Sequence, residues 1–121
     1  MTLGGLLKHV ALNEDYMTAR KLTGQPLGAP WDAVDFDADP DWEWRTAADD
    51  SPEELYRLWR GAVERSRAAV AAALAGGGLD QSPNLRRVLA DLLERNQRHV
   101  GHADLLREAV DGLVGEDPPQ P

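Results

Sequence analysis

The chain has 121 residues, no cysteine and a formal charge of −8, which is enough for one domain with a modest core. Without cysteine the protein has no disulfides and no thiolate ligands, so a transition-metal site must use histidine, carboxylate or amide ligands. The acidic balance argues against a nucleic-acid binder, and no apolar run reaches the roughly 18–20 residues of a membrane span. We therefore expect no nucleic-acid or membrane partner. The N-terminus shows no signal-peptide pattern, so we expect a cytoplasmic protein.

Three helices are predicted, at about residues 3–22, 52–75 and 83–112, within a single domain over residues 1–121. A tail follows over residues 113–121. Strand signals are nearly absent, so the predicted fold class is all-α.

The first predicted helix carries apolar side chains at helical spacing and ends near Gly24 and Pro26. Its recurring positions are Leu3, Leu6, Leu7, Val10, Asn13 or Glu14, and Met17.

An irregular, acidic stretch follows over residues 24–50. Residues 31–50 hold eight acidic residues against one base, Arg45, so this segment alone supplies a charge of −7. A disordered linker rarely carries several aromatic residues, so we expect this long connection to pack onto the helices. Its aromatic residues are Trp31, Phe36, Trp42 and Trp44.

The second helix has a clear start signal, in which Ser51 is the N-cap, Pro52 the first helical residue and Glu54 the capping-box acid. Three glycines at residues 76–78 end it. The face predicted to be buried comprises Leu55, Leu58, Trp59, Ala62, Ser66, Ala69, Val70 and Ala73.

The third helix repeats the start signal with Ser82 and Pro83, and ends at Gly112 and Gly115. Its heptad spacing predicts shallow-angle packing in a bundle. One seam contains Leu85, Leu92, His99, Leu106 and Leu113, and the other contains Leu89, Asn96, Ala103 and Val110.

A four-helix bundle closes its core with four apolar stripes, whereas this sequence shows three. Either the aromatic stretch over residues 24–50 covers the open seam, or a second copy of the chain does.

The apolar seam of the last helix is interrupted by Asn96 and His99, and His102 lies on the same helix face at i, i+3. Two imidazoles at that spacing can point at one ion. The third histidine, His9, lies within the first helix. The alternative interpretation is that these are surface or hydrogen-bonded histidines without a ligand.

Several of these segments resemble the mini-circle branch of the DinB-like superfamily. The most specific is residues 98–108 (RHVGHADLLRE), followed by Asp111 and Gly112. Weaker similarity is found in residues 6–11 (LLKHVA) with Glu14, in residues 39–45 (DPDWEWR) and in the helix start at residues 50–52.

The resemblance implies an up-and-down helical bundle with a divalent metal, zinc or nickel, at one end of its core. It implies one metal ligand from the first predicted helix of this chain and a pair from the last. Members of this superfamily include thiol-dependent transferases that use mycothiol or bacillithiol, and a maleylpyruvate isomerase. Their metal activates the thiol of that cofactor, so the resemblance implies a metal-dependent thiol S-transferase acting on small molecules.

Two features depart from the family pattern. The family has a helix upstream of the His9 segment that this sequence does not contain, so we expect a homodimer that completes the bundle. The family also has a His or Glu four residues before the position of His99, where this sequence has Arg95. Arginine is a permanent cation and cannot act as a ligand. We therefore predict His9, His99 and His102 as the metal ligands.

Three hypotheses remain from the sequence: a metal-dependent thiol transferase, a metal-binding module without catalysis, and a degenerate, non-catalytic bundle that acts through self-association or partner binding. The arrangement of the imidazoles separates them. Rings of His9 and His99 within about 4–5 Å of each other favour the first two, because imidazole–metal bonds are near 2.0–2.1 Å. Distant rings, or Arg95 between them, favour the third.

Overall fold

The computed structural model describes residues 1–80 and 84–114, and this part of the chain contains helices and no strand. The all-α prediction is confirmed. The three long helices lie within two residues of their predicted bounds when the first is counted together with its π-helical continuation. The elements in chain order are helix α1 (Leu3–Asp15) continued by a π-helical segment (Tyr16–Thr23), a 3₁₀ turn (Trp31–Ala33), a short helix α2 (Trp42–Thr46), helix α3 (Pro52–Ala75) and helix α4 (Leu85–Asp111).

Helix α1 is the central element of the fold and contacts α2, α3 and α4. From Gly4 to Ala19 every residue of α1 and the π-helical segment is buried or half-buried. A surface helix normally buries one stripe and exposes the rest. Burial on all sides means that helices cover one side of α1 and the connection over residues 24–50 covers the other.

The aromatic connection packs onto the helices as predicted. Trp31 is only 2% exposed and lies in a core cluster with Ala11 and Ala62. Its ring N–H donates a 2.8 Å hydrogen bond to the carboxylate of Asp15, which also accepts two hydrogen bonds from Arg65 of α3 at 2.9 and 2.8 Å. This network, in which Trp31 and Asp15 are buried and Arg65 is exposed, joins α1, the connection and α3.

The start of α3 confirms the predicted capping box. The Ser51 hydroxyl accepts from the Glu54 backbone N–H, and the Glu54 carboxylate accepts from the Ser51 backbone N–H. These two bonds satisfy donors that a helix start leaves unpaired. The predicted buried face of α3 is also confirmed, with Leu55, Ala62 and Ser66 as its most buried residues.

Helix α4 departs from its prediction at its start. Its N-cap is Asn84, whose side-chain oxygen accepts from the backbone N–H groups of Arg86 and Arg87. The predicted start residues Ser82 and Pro83 lie outside the described residues.

The predicted heptad seam of α4 is also partly wrong. Leu89 is 38% exposed whereas its neighbour Val88 is 4% exposed, and Val110 and Leu113 near the end of the helix are exposed. The physical reason is that α4 packs mainly on α1 and touches α3 little. Its most buried residues, Leu85, Val88 and Leu92, lie on one face at i, i+3 and i+7, so the buried stripe passes through position 88 and not through position 89.

An open groove runs between α3 and α4, with α1 as its floor, and encloses about 780 Å³. Its walls are mainly apolar. Of residues 24–50, only Ala47 and Asp50 line the groove, so the connection leaves this seam largely open. In the described part of the chain, none of the helices combines the length and apolar character needed to cross a membrane. The groove is lined by Leu3, Gly4, Leu6, Leu7, Val10, Glu14, Ala47, Asp50, Pro52, Leu55, Tyr56, Trp59, Val63, Asn96, His99, Val100 and Ala103.

Candidate functional site

The fold brings His9 of α1 and His99 of α4 together. Their ring centroids are 4.8 Å apart and the rings meet edge to face, with an interplanar angle of 82°. His102, one turn further along α4, has its ring centroid 5.7 Å from that of His99. This separation of the two rings lies within the range of about 4–5 Å that favours a metal site over a purely structural role.

His9 is held in place by two neighbouring residues of α2. Its Nδ1 lies 2.8 Å from Oε1 of Glu43, and its ring stacks on Trp44 with centroids 4.5 Å apart and an interplanar angle of 25°. Helix α2 itself is fixed to α1 by Lys8, whose ammonium group donates to Thr46 at 2.9 Å and lies 4.6 Å from the centroid of the Trp42 ring. The short helix thus determines the orientation of the His9 ring.

The histidines of α4 have polar ring atoms without partners. Nδ1 of His99 and Nδ1 of His102 are buried and make no hydrogen bond within the described residues. The Nε2 atom of His99 lies 3.4 Å from the side-chain amide nitrogen of Asn13. Buried polar atoms normally have partners, so unpartnered ring nitrogens beside a second imidazole point to a site for a ligand.

The surroundings of His99 favour its neutral form. Burial lowers the pKa of His99 below its usual value, and the positive charges of His9 and His102, when protonated, and of Arg98 and Arg95 lower it further. A neutral imidazole is the form that can coordinate a metal.

A polar patch interrupts the apolar groove beside these rings. The side-chain amide of Asn96 donates a 3.3 Å hydrogen bond to the buried carboxylate of Glu14, and the Asn96 Oδ1 atom is buried without a partner in the described structure. Glu14, Asn96 and His99 all line the groove. The polar break that the sequence shows in the seam of α4 is therefore a break in the groove wall.

Arg95 does not lie between the histidines. Its side chain is exposed and it is not among the residues that line the groove. The arrangement that would favour a purely structural bundle, with Arg95 filling the gap, is therefore not present.

The structure brings His9 to His99 and His99 to His102, but it does not assemble a metal-binding cluster. Among residues 1–80 and 84–114, no set of three or more histidine or acidic side chains has an arrangement that could hold a metal ion. The assignment of His9, His99 and His102 as ligands remains a prediction.

Sequence reasoning missed Glu43 and Trp44 as parts of the site. Residues 42–44 read Trp-Glu-Trp within a segment already predicted to pack onto the helices. A glutamate between two tryptophans in such a segment is a candidate for a buried carboxylate, and that signal was available.

The described residues form an all-α bundle in which imidazoles from α1 and α4 face one another. The chain belongs to the mycothiol-S-transferase family, since the family model described as Mycothiol-S-transferase matches residues 1–112. Membership confirms the resemblance seen in the sequence and implies mycothiol as the thiol co-substrate. Searches of the curated proteins and of the solved structures found no match.

Proposed function

We propose that this protein is a mycothiol-dependent S-transferase that acts on small molecules and holds a divalent metal, zinc or nickel, with His9, His99 and His102. The proposal depends on one observation above all. The rings of His9 and His99 lie 4.8 Å apart, although these residues are 90 positions apart in the sequence and belong to two different helices. Family membership over residues 1–112 supports the transferase part of the proposal.

The chemistry of these side chains, rather than a preformed cluster, supports such a metal. Imidazole suits zinc and nickel, and a chain without cysteine offers no competing thiolate. His99 and His102 each have a buried ring nitrogen without a partner in the described structure, and His9 keeps Nε2 available because Glu43 engages its Nδ1. A bound divalent cation lowers the pKa of a coordinated thiol and so supplies a thiolate nucleophile near neutral pH.

The residues around the histidines contribute orientation and charge. Asn13 contacts the His99 ring, and Asn96 is anchored by the carboxylate of Glu14. A buried carboxylate at the groove wall also offsets part of the positive charge that a cation would bring to the site. The exposed Arg95, one helical turn before His99, opposes this effect with its positive charge.

The test is metal binding by wild type and by the His9→Ala, His99→Ala and His102→Ala variants, measured by metal content and by calorimetric titration with zinc and nickel. We expect wild type to bind one equivalent and each variant to bind more than about tenfold more weakly, since loss of a supporting residue alone costs 10- to 100-fold. The matched control is Gln97→Ala, an exposed polar residue of the same helix, which should bind as wild type does.

Two further measurements separate the hypotheses. At a metal concentration about 100 times Kd, the folded state should gain about 2.7 kcal/mol and the melting temperature should rise. Transfer to an electrophilic small molecule should require mycothiol. Wild type that binds no metal and shows no thermal shift refutes the metal site. Metal binding without mycothiol-dependent transfer favours a non-catalytic metal-binding module.

A further inference from the structure

Glu43 of α2 is a buried acid that the fold itself does not explain. The residue is 3% exposed. One carboxylate oxygen contacts Nδ1 of His9 at 2.8 Å, and the other, Oε2, is buried without a hydrogen-bond partner in the described part of the chain. Burying a carboxylate with so few partners is costly, and a buried polar group kept at such a cost usually serves the site that it faces.

The position of α2 does not depend on Glu43. Lys8 binds Thr46 and lies over the Trp42 ring, and Trp44 stacks on His9. These contacts hold both ends of the five-residue helix against α1. Replacing Glu43 should therefore leave α2 docked, and the hydrogen bond to His9 is the contact that would be lost.

This hydrogen bond decides which nitrogen of His9 carries the proton. An ionised carboxylate only accepts hydrogen bonds, so the partner of an ionised Glu43 is an Nδ1–H of His9 that donates to it. Nε2 then carries a lone pair in the neutral ring. Carboxylates that bind the distal nitrogen of a metal-ligating histidine fix its tautomer and orientation in this way.

We propose that Glu43 is a positioning residue that holds His9 as the Nδ1–H tautomer, with the Nε2 lone pair free to coordinate the metal. The inference rests on the proposed function for its metal, while the tautomer is a property of the metal-free chain. Trp44 completes the support, because stacking fixes the plane of the ring whereas Glu43 fixes its rotation within that plane.

The test is nitrogen-15 NMR of the histidine rings in the metal-free protein at about pH 8, above the ordinary histidine pKa of about 6.5. Wild type should show His9 with a protonated Nδ1. Glu43→Ala should move His9 towards the Nε2–H tautomer, while Glu43→Gln, which keeps an acceptor oxygen, should retain more of the Nδ1–H form. The matched control is Asp41→Asn, an exposed acid at the start of the same helix, which should leave His9 unchanged.

Metal titration supplies the second readout. Glu43→Ala should bind zinc or nickel about 10- to 100-fold more weakly than wild type, with Glu43→Gln in between and Asp41→Asn unchanged. An Nε2–H tautomer in wild type, or a His9 tautomer that does not respond to Glu43→Ala in a protein that still melts cooperatively, overturns the inference. Wild type that binds no metal but shows the Nδ1–H tautomer refutes the proposed metal site instead, which keeps the two failures distinct.

Discussion

At the scale of single residues, His9 of α1 and His99 and His102 of α4 lie close together, and their surroundings favour the neutral form of His99. Two arginines, Arg95 and Arg98, contribute to this by lowering the pKa of His99 after burial and the neighbouring histidines. The same positive charge that favours a neutral imidazole also opposes the arrival of a cation. We therefore expect the charge on this face of α4 to affect the affinity of the proposed metal site.

We predict that Arg95→Glu raises the affinity for zinc or nickel by at least about tenfold. The substitution places a carboxylate one helical turn before His99, where the family has a His or Glu, and removes a nearby positive charge. Affinity is measured by calorimetric titration of the metal-free protein.

The control for this prediction is Arg98→Glu. It makes the same change of charge next to His99 but lies at a different angle around the helix and disrupts only an exposed contact with Glu94. If Arg98→Glu raises the affinity as much as Arg95→Glu, the gain is electrostatic, and the idea that position 95 supplies a ligand is wrong.

At the scale of helices, the smallest element carries the most specific support of the site. Helix α2 has five residues, and three consecutive residues, 42–44, contact Lys8 and His9 of α1. An isolated helix of this length is unstable, so α2 forms because tertiary contacts hold it. Its order is therefore tied to α1, and the orientation of His9 is tied to α2.

We predict that the capping box at the start of α3 makes stability depend on pH in the acid range. Hydrogen bonds from Ser51 lower the pKa of Glu54 below its usual value. The folded state therefore binds a proton less readily than the unfolded state, so this contribution is present above the ordinary glutamate pKa. It is lost as the pH falls through the lowered value in the folded protein.

This prediction is checked by urea denaturation of wild type and Glu54→Gln at neutral pH and at about pH 3. The stability advantage of wild type should shrink at the lower pH. The control is Glu53→Gln, an exposed acid in the same helical turn. An equal pH dependence in Glu53→Gln would show that general charge at the helix start, and not the capping box, is responsible.

The long helices could be predicted because their signals are local. The serine before α3, the proline and glutamate of its first turn and the glycines after it mark both ends of that helix. Helix α2 could not be predicted, because five residues are too few to show a period. The exposure of Leu89 could not be predicted either, since it depends on which helix α4 packs against.

The site was predictable to the same limited degree. A histidine in an otherwise apolar seam indicates an inward-facing position, and His99 does line the groove. The contact of Glu43 with His9 joins residues 34 positions apart through an irregular connection. No periodic pattern reports such a contact, and only the path of the connection determines it.

At the scale of the whole molecule, the chain leaves an apolar groove open between α3 and α4. Leu3, Tyr56 and Val100 line this groove and are each about half exposed or more. Monomeric proteins rarely expose extensive contiguous apolar surface. Covering the groove would remove these side chains from water, and a second copy of the chain is the occupant that a solution of the pure protein always supplies.

We predict that the substrate-free protein forms a homodimer through this groove, measured by sedimentation equilibrium or by light scattering after size exclusion. Each chain carries a charge of −8, so like-charge repulsion opposes association and the dimer should become tighter as ionic strength rises. Val100→Glu should weaken the dimer by at least about tenfold, because it removes apolar contact and places an unpaired charge at the interface.

The matched control is Val110→Glu, the same substitution at a residue of α4 that is 77% exposed and lies outside the groove lining. It changes the net charge equally, so it measures the repulsion alone, and it should weaken the dimer far less than Val100→Glu does. A wild-type monomer at all accessible concentrations and salt levels contradicts the prediction. So does a dimer that responds equally to both substitutions, because its interface then lies elsewhere and the groove is left uncovered by the partner copy.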